Sequence, residues 1–413
     1  MKKILFIILS LMTSLAIHAQ DITGSWQGEL DLGGQKLGIV FKFSKNAEGA
    51  NIVKMDVPEQ GAMDIPVDIS YLQKDSLNLN VPKIGMNYSG KMEGEVIKGT
   101  FRQNGMSFPL DLKPGTPKGP NRPQEPKKPY PYQTKEVTFS NSSANVTLAG
   151  TLTYPVGYKA GKRVPIVLMV TGSGAQTRDE EVFGHKPFLI IADFLAKNGI
   201  ASLQYDDRGI GQSTGTFKGS TSADFAQDAK AGISYLRKDK QFGPVGILGH
   251  SEGGLIAFML GADKTVDFIV SMAGPALQGD SVIAEQTNAM LLHYGQPASQ
   301  TVKKVREGLS KAPKDAWLEY FINCDPAPYI RKITVPLMAI NGSKDQQVLA
   351  DSNLKKIEEL LKNGNKKNFI HTYPGLNHLF QHCDSGAGDE YWKIEETLSP
   401  EVLKDIATWI NGL

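Results

Sequence analysis

Gly249-His250-Ser251-Glu252-Gly253 is the stretch of this chain best suited to covalent chemistry. It matches the pattern G-x-S-x-G, follows four residues (245–248) that read as a buried strand, and precedes apolar, helix-compatible residues 255–260. A serine at such a strand–turn–helix junction sits on a sharp, strained turn with its hydroxyl presented for attack. Glycine on either side removes the Cβ atoms that would clash where the backbone folds back on itself. The helix that follows offers free N–H groups and the positive end of its dipole to developing negative charge. The same pattern recurs in Gly211-Gln212-Ser213-Thr214-Gly215, but between two loops, with no strand before it and no helix after it. Ser251, not Ser213, is therefore the expected nucleophile.

A serine hydroxyl is a poor nucleophile at neutral pH; it needs a base, and the base needs an orienting acid. Behind a serine of this kind the acid and then the base follow in chain order. Asp345 follows the apolar run 336–340 through Asn341-Gly342-Ser343-Lys344, and His378 follows 369–373 through Pro374-Gly375-Leu376-Asn377. Both stand in loops at the C-terminal ends of expected strands, the edge where Ser251 also stands and where functional groups of parallel sheets converge. Among the rivals, His371 falls inside a strand, and Asp351 heads a helix, where capping accounts for it. Asp325 precedes Pro326 in a long connection. His382, four residues after His378, gives the spacing of a zinc pair, but no H-E-x-x-H and no third ligand accompany it. The tetrahedral oxyanion needs two donors. The backbone N–H of Glu252, next after the nucleophile, is one. The other is expected from Thr171-Gly172-Ser173-Gly174, with the N–H of Ser173 preferred and that of Gly174 second.

These residues need a scaffold, and from residue 136 onward the chain supplies a strand–helix alternation. Residues 146–154 read as an opening hairpin, and 165–170, 201–205, 245–248, 268–272, 336–340 and 369–373 as short apolar strands. Helical spacing over 188–195 stops at Asn198-Gly199, another helix covers 225–236, and Ser399 with Pro400 caps the last. Strands alternating with helices imply a mostly parallel sheet covered on both faces. Residues 275–332 form a connection far longer than a loop, with helical pieces over 283–292 and 301–309. An insertion there lies over the strand ends, so a cap above the site is expected.

Residues 24–112 differ: short alternating segments separated by turn signals such as Gly33-Gly34 and Asn104-Gly105. They predict an antiparallel barrel or sandwich without a catalytic set, an accessory domain spanning residues 20–112. Pro114, Pro117, Pro120, Pro123, Pro126, Pro129 and Pro131 mark residues 113–135 as an extended, semi-rigid spacer. Ahead of all this, Lys2-Lys3, an apolar run over 4–12 and Ala19 have the form of a secretory signal cleaved after residue 19. Without a cysteine at the cut, a lipid anchor is disfavoured, and the destination expected is secreted or periplasmic. Composition is that of an ordinary globular protein with a formal net charge of +2. No basic stripe points to nucleic acid. Cys324 and Cys383 either pair or remain as two thiols.

Thr171-Gly172-Ser173-Gly174 with Arg178-Asp179-Glu180, Phe183-Gly184-His185-Lys186-Pro187, Tyr205-Asp206-Asp207-Arg208-Gly209, Gly249-His250-Ser251-Glu252-Gly253-Gly254 and Asn377-His378-Leu379-Phe380 together resemble the bacterial secreted α/β-hydrolases. Members of that family are described variously as serine hydrolases, carboxylesterases or serine-aminopeptidase-like proteins. The resemblance covers residues 137–413 and departs at Ala175, where similar proteins often carry proline. It implies an α/β-hydrolase fold with Ser251, Asp345 and His378 as the triad, no cofactor and no metal, and it leaves the substrate open. The expectation is a carboxylic ester hydrolase acting on a small acyl ester, with a peptidase as the alternative enzyme and a non-catalytic binding protein as the alternative class. An aminopeptidase would need carboxylates for a free α-ammonium. Of the candidates, Asp206-Asp207-Arg208 reads as an internally paired turn, and Glu252 as an acid at a helix N-terminus.

Overall fold

The computed structural model describes residues 22–31, 36–73, 75–116, 119–361 and 364–413. The signal expected over 1–19 and the Gly33-Gly34 turn lie outside the described residues. Two compact units divide the chain, Met1–Lys118 and Gly119–Leu413.

The first unit is a meander of β1 (Gly24–Asp31), β2 (Lys36–Lys45), β3 (Asn51–Val57), β4 (Ala62–Leu72), β5 (Ser76–Val81), β6 (Met86–Glu93), β7 (Val96–Gln103) and β8 (Met106–Pro109), closed by the two-residue β9 (Lys113–Pro114). Every pairing is antiparallel. Alternation sets the faces: Leu77, Leu79 and Val81 of β5 point into the core while Ser76, Asn78 and Asn80 stay at the surface. Beyond β8, Ile97 and Leu112 exchange backbone hydrogen bonds on the β7 side, and β9 pairs with β1 on the other. The sheet thus curls around Phe41, Leu79, Tyr88 and Ile97, the barrel form of the two expected.

The second unit carries a sheet of β10 (Thr134–Asn141), β11 (Val146–Thr153), β12 (Val164–Val170), β13 (Ala201–Tyr205), β14 (Phe242–His250), β15 (Phe268–Met272), β16 (Leu337–Gly342) and β17 (Phe369–Tyr373). Its order is β10-β11-β13-β12-β14-β15-β16-β17. The β10–β11 and β11–β13 pairs are antiparallel and the rest parallel. The central strands are buried on both faces, which is why they read as unbroken apolar runs rather than alternating ones. On one face, α1 (Pro187–Lys197) and α10 (Pro400–Asn411) cover Val167, Met169, Val270 and Met338. On the other, α2 (Ser222–Lys238), α3 (Glu252–Ala262) and α8 (Ala350–Leu360) cover Ile166, Leu168, Ile247 and Leu337. Between β15 and β16 the insertion forms α4 (Gly279–His293), α5 (Val302–Lys311), α6 (Ala316–Asn323) and α7 (Ala327–Ile330). A short α9 (Gly388–Tyr391) precedes α10.

Two local expectations change. Pro400 opens α10, but the Ser399 hydroxyl makes no capping bond and is buried without a partner. The proline-rich stretch does not act throughout as a solvated spacer. Arg122 donates to four carbonyls, those of Phe183, Gly184, Trp392 and Ile394, and Gln124 brackets Leu398 through both its amide atoms. A guanidinium so engaged is a clasp, and residues 119–132 are part of the second unit's framework.

Candidate active site

β14 ends at His250 and α3 begins at Glu252, leaving Ser251 alone at the junction. Its backbone has φ 54° and ψ −117°, a left-handed conformation costly for a residue with a Cβ, of order 1–3 kcal/mol. The flanking glycines explain how the turn closes. A Cβ on Gly249 would stand 1.9 Å from the Gly253 carbonyl oxygen, and one on Gly253 would stand 2.1 Å from that of Val170. The Ser251 N–H donates to Met272 O at 2.8 Å, tying the elbow to β15.

The loops after β16 and β17 carry Asp345 and His378 to the same sheet edge. His378 Nδ1 lies 2.7 Å from Asp345 Oδ2, with both side chains buried. The other carboxylate oxygen, Oδ1, accepts from the N–H groups of Gln347 and Val348 at 2.7 and 2.9 Å, so Asp345 is fixed before it orients the imidazole. Asn377 shapes the His378 turn, its Oδ1 accepting from Leu379 N and Gln381 N. Ser251 and His378 line one cavity of about 120 Å³ with Ser173, Glu180, His250 and Tyr391. Ser251 also lines a smaller one of about 60 Å³ with Ser173, Glu252, Val282, Trp317 and Phe321, the last three from the insertion.

Ser173 faces both cavities, and among the described residues no backbone acceptor takes its N–H or that of Glu252. The loop bearing Ser173 is held from beneath: Gly172 N–H donates to Glu180 Oε1 at 2.7 Å and Gln176 N–H to Asp207 Oδ2 at 2.9 Å. Thr171 Oγ1 donates to Asp207 Oδ1. Burial, reinforced by the nearby charges of Glu252 and Glu180, pushes the Asp207 carboxyl up to about 8 despite these hydrogen bonds.

The acidic turn is therefore not paired within itself. Asp206 pairs with Arg178, Asp207 props the loop of Ser173, and Arg208 reaches Asp228 at 2.7 Å. Each side chain leaves the turn in a different direction, which a reading of adjacent charges does not reveal. Burial works against ionisation of Asp206, but the Arg178 guanidinium outweighs it and holds the carboxyl below its usual range. Glu252 does head α3, yet its carboxylate spans Ser222 Oγ and Trp317 Nε1 at 2.5 and 2.9 Å, joining the elbow to the insertion. Burial raises its pKa above the ordinary carboxylate range against those two donors.

The rivals stand elsewhere. Ser213 is buried, donates to Asp206 O at 2.7 Å and accepts from Ala149 N at 2.9 Å. His371 lies within β17, and His382 pairs at the surface with Glu396. Asp325 caps Ala327 N, and Asp351 sits in the first turn of α8. Cys324 and Cys383 are separate thiols, both pushed up to about 11 by burial. Among the described residues no group of three acidic, His or Cys side chains is placed to hold a metal. No described helix is long and apolar enough to cross a membrane. His250 was not singled out by the sequence. Its only signal was its place before the serine; in the folded chain its ring lies between Glu180 Oε1 and the carbonyl of His378.

The second unit has the α/β-hydrolase fold, a mixed, mostly parallel sheet covered by helices, with Ser251 at the turn after β14 and Asp345 and His378 on the loops after β16 and β17. Residues 187–314 match the family described as serine aminopeptidase, S33. The chain is similar to esterase EstD of Thermotoga maritima, 27% identical over 296 residues that cover 68% of each chain. Among solved structures it resembles the Pyrococcus furiosus esterase Pf2001, with 19% identity, a TM-score of 0.49, and coverage of 71% of this chain and 98% of that one. It also resembles Est1E of Butyrivibrio proteoclasticus bound to ferulic acid, with 18% identity, a TM-score of 0.47, and coverage of 67% and 100%.

Proposed function

We propose that the second unit is a serine hydrolase that cleaves carboxylic esters through an acyl-enzyme on Ser251. The observation that carries this reading is the buried 2.7 Å His378–Asp345 pair opening on the cavity that holds Ser251 at its strained elbow. With Nδ1 engaged by Asp345, His378 has Nε2 left to take the Ser251 proton as Oγ attacks the ester carbonyl. The N–H groups of Ser173 and Glu252 receive the oxyanion, and His378 returns its proton to the alcohol as the ester C–O bond breaks. A water deprotonated by the same imidazole then attacks the acyl-enzyme, releasing the acid and restoring the Ser251 hydroxyl. The esterase named among its relatives supports an ester as substrate. The serine aminopeptidase match keeps an amide substrate as the second reading. Measuring kcat/KM for an ester and an aminoacyl amide with the same acyl group tests the choice. Turnover of the ester, lost in Ser251→Ala, is expected. Efficient cleavage of an unactivated peptide, equally lost in Ser251→Ala, would replace the esterase reading with a peptidase. We further propose export with removal of residues 1–19, on the strength of Lys2-Lys3, the apolar run and Ala19. A mature N-terminus at Gln20 by mass spectrometry is the result expected.

A further inference from the structure

Beneath the serine elbow lies a pair of side chains that the chemistry above leaves unused. Glu180 Oε1 accepts from Gly172 N–H at 2.7 Å and lies 3.0 Å from His250 Nδ1. The other ring nitrogen, Nε2, is 2.9 Å from the carbonyl oxygen of His378. A carbonyl only accepts, so Nε2 carries a proton. Oε1 already faces the Gly172 N–H, and a second donor, Nδ1–H, completes its geometry. Both nitrogens protonated make His250 an imidazolium facing a carboxylate, and both side chains are almost wholly buried. Burial opposes charge on His250, and Glu180 overcomes it, holding the imidazole above its ordinary range. Glu180 reaches this position from a left-handed backbone, φ 53°, a strain that a non-glycine residue adopts only when its surroundings require it. The His250 and His378 rings stand 4.8 Å apart, centre to centre.

One pair thus touches three loops that must agree to within a fraction of an ångström. These are the loop with Ser173 through Gly172, the elbow through His250, and the base loop through the His378 carbonyl. We propose that Glu180 and His250 are positioning residues for ester hydrolysis, a buried carboxylate–imidazolium pair that sets the oxyanion donors, the nucleophile and the base in register. The proposal rests on the esterase reading above.

Glu180→Gln tests it with almost no change of volume. A glutamine has one accepting oxygen and one donating nitrogen at its tip. Its oxygen can stand where Oε1 stands, but it carries no charge to hold His250 doubly protonated. Once His250 is neutral, with its proton on Nε2 toward the His378 carbonyl, Nδ1 faces one of two partners. Either it meets the amide oxygen, lone pair against lone pair, or it meets an amide turned to donate to it that no longer accepts from Gly172 N–H, so one loop is released. Expected is a fall in kcat of about 10²-fold, the scale of losing or misplacing one oxyanion donor, with KM within roughly twofold. Affinity for a boronic acid that mimics the tetrahedral adduct should fall in parallel, per active site titrated with a fluorophosphonate. A residue that only supported folding would lower the melting temperature or the fraction of active sites and leave the affinity of each active site for the boronic acid unchanged. His250→Gln attacks the pair from its other end, and it carries the test alone if Glu180→Gln does not fold. The double variant should cost about as much as either single one, since the pair acts as a unit. Wild-type kcat and boronic acid affinity in Glu180→Gln, or losses that simply add in the double variant, would overturn the proposal. Ser251→Ala, run beside them, separates the two readings: ester turnover surviving there refutes the acyl-enzyme on Ser251 itself, whatever Glu180 does.

Discussion

Ser251 and Ser213 stand in the same five-residue pattern, and the protein uses its glycines oppositely in the two places. Around Ser213 the glycines take the unusual backbone angles, Gly211 at φ 54° and Gly215 at φ 93°, and the serine between them is relaxed. Around Ser251 the glycines have ordinary angles and supply only room, while the serine itself is left-handed at φ 54°. In the first loop glycine absorbs the turn and the hydroxyl is turned inward, donating to Asp206 O and accepting from Ala149 N. In the second, strand β14 and helix α3 force the turn onto the serine, which leaves its hydroxyl in a cavity beside an imidazole. The pattern of letters is shared; what differs is which residue bears the strain, and that depends on the elements on either side.

The most severe way to test this contrast is to remove each hydroxyl. Ser251→Ala should lower kcat for an ester by about 10⁶-fold, as loss of a triad nucleophile does, and abolish fluorophosphonate labelling. Ser213→Ala should leave kcat within a few-fold. Labelling that maps to Ser213 would reverse the assignment. A step smaller is Asp345→Asn. The carboxylate holds the tautomer of His378, so kcat should fall by roughly 10⁴-fold with KM little changed. A loss below tenfold would mean that His378 is oriented by something other than its 2.7 Å partner.

The Ser213 loop should respond in stability where the Ser251 loop responds in rate. Ser213→Ala strips a donor from Asp206 O and an acceptor from Ala149 N in a buried place, which costs about 1–3 kcal/mol. Urea unfolding should show that loss at unchanged slope. A variant as stable as the wild type would mean that water replaces the hydroxyl, and the structural role given to Ser213 would fall.

Much of this was legible because parallel strands and their edge loops are local. Apolar runs such as 245–248 and 336–340 announced β14 and β16, and the residues just beyond them, Ser251 and Asp345, followed. What escaped was non-local. Asp206, Asp207 and Arg208 look mutually paired as neighbours, but find Arg178, the Thr171 hydroxyl with the Gln176 N–H, and Asp228 only once the chain is folded. The eight residues of α6 are too few for a helical period to stand out, although Trp317 within it reaches Glu252 beside Ser251. The prolines of 113–135 suggested a spacer, and composition could not reveal that Arg122 would find four carbonyls.

Asp207 links the two loops, since it leads toward Ser213 in sequence while its carboxyl supports the backbone beside Ser173. With its pKa raised to about 8, the folded chain keeps a proton there that the unfolded chain releases near its ordinary value of about 4. Below about pH 4 the group is protonated in both states and imposes no penalty. Between roughly pH 4 and 8 the unfolded chain binds fewer protons than the folded one, so the contribution of this group to stability falls as pH rises and levels off above 8. Asp207→Asn removes that slope while keeping the shape. The melting temperature of the wild type should therefore drop relative to Asp207→Asn between about pH 5 and 9, with most of the change complete by 8. The effect is the smallest of the set, a few degrees, because neighbouring groups relax and part of the burial is shared with hydrogen bonds from Thr171 and Gln176. A difference in melting temperature that stays constant across that range would mean that Asp207 is ionised throughout. The loop of Ser173 would then hang on a full negative charge, and the Ser251 and Ser213 regions would be joined by electrostatics rather than by a shared proton.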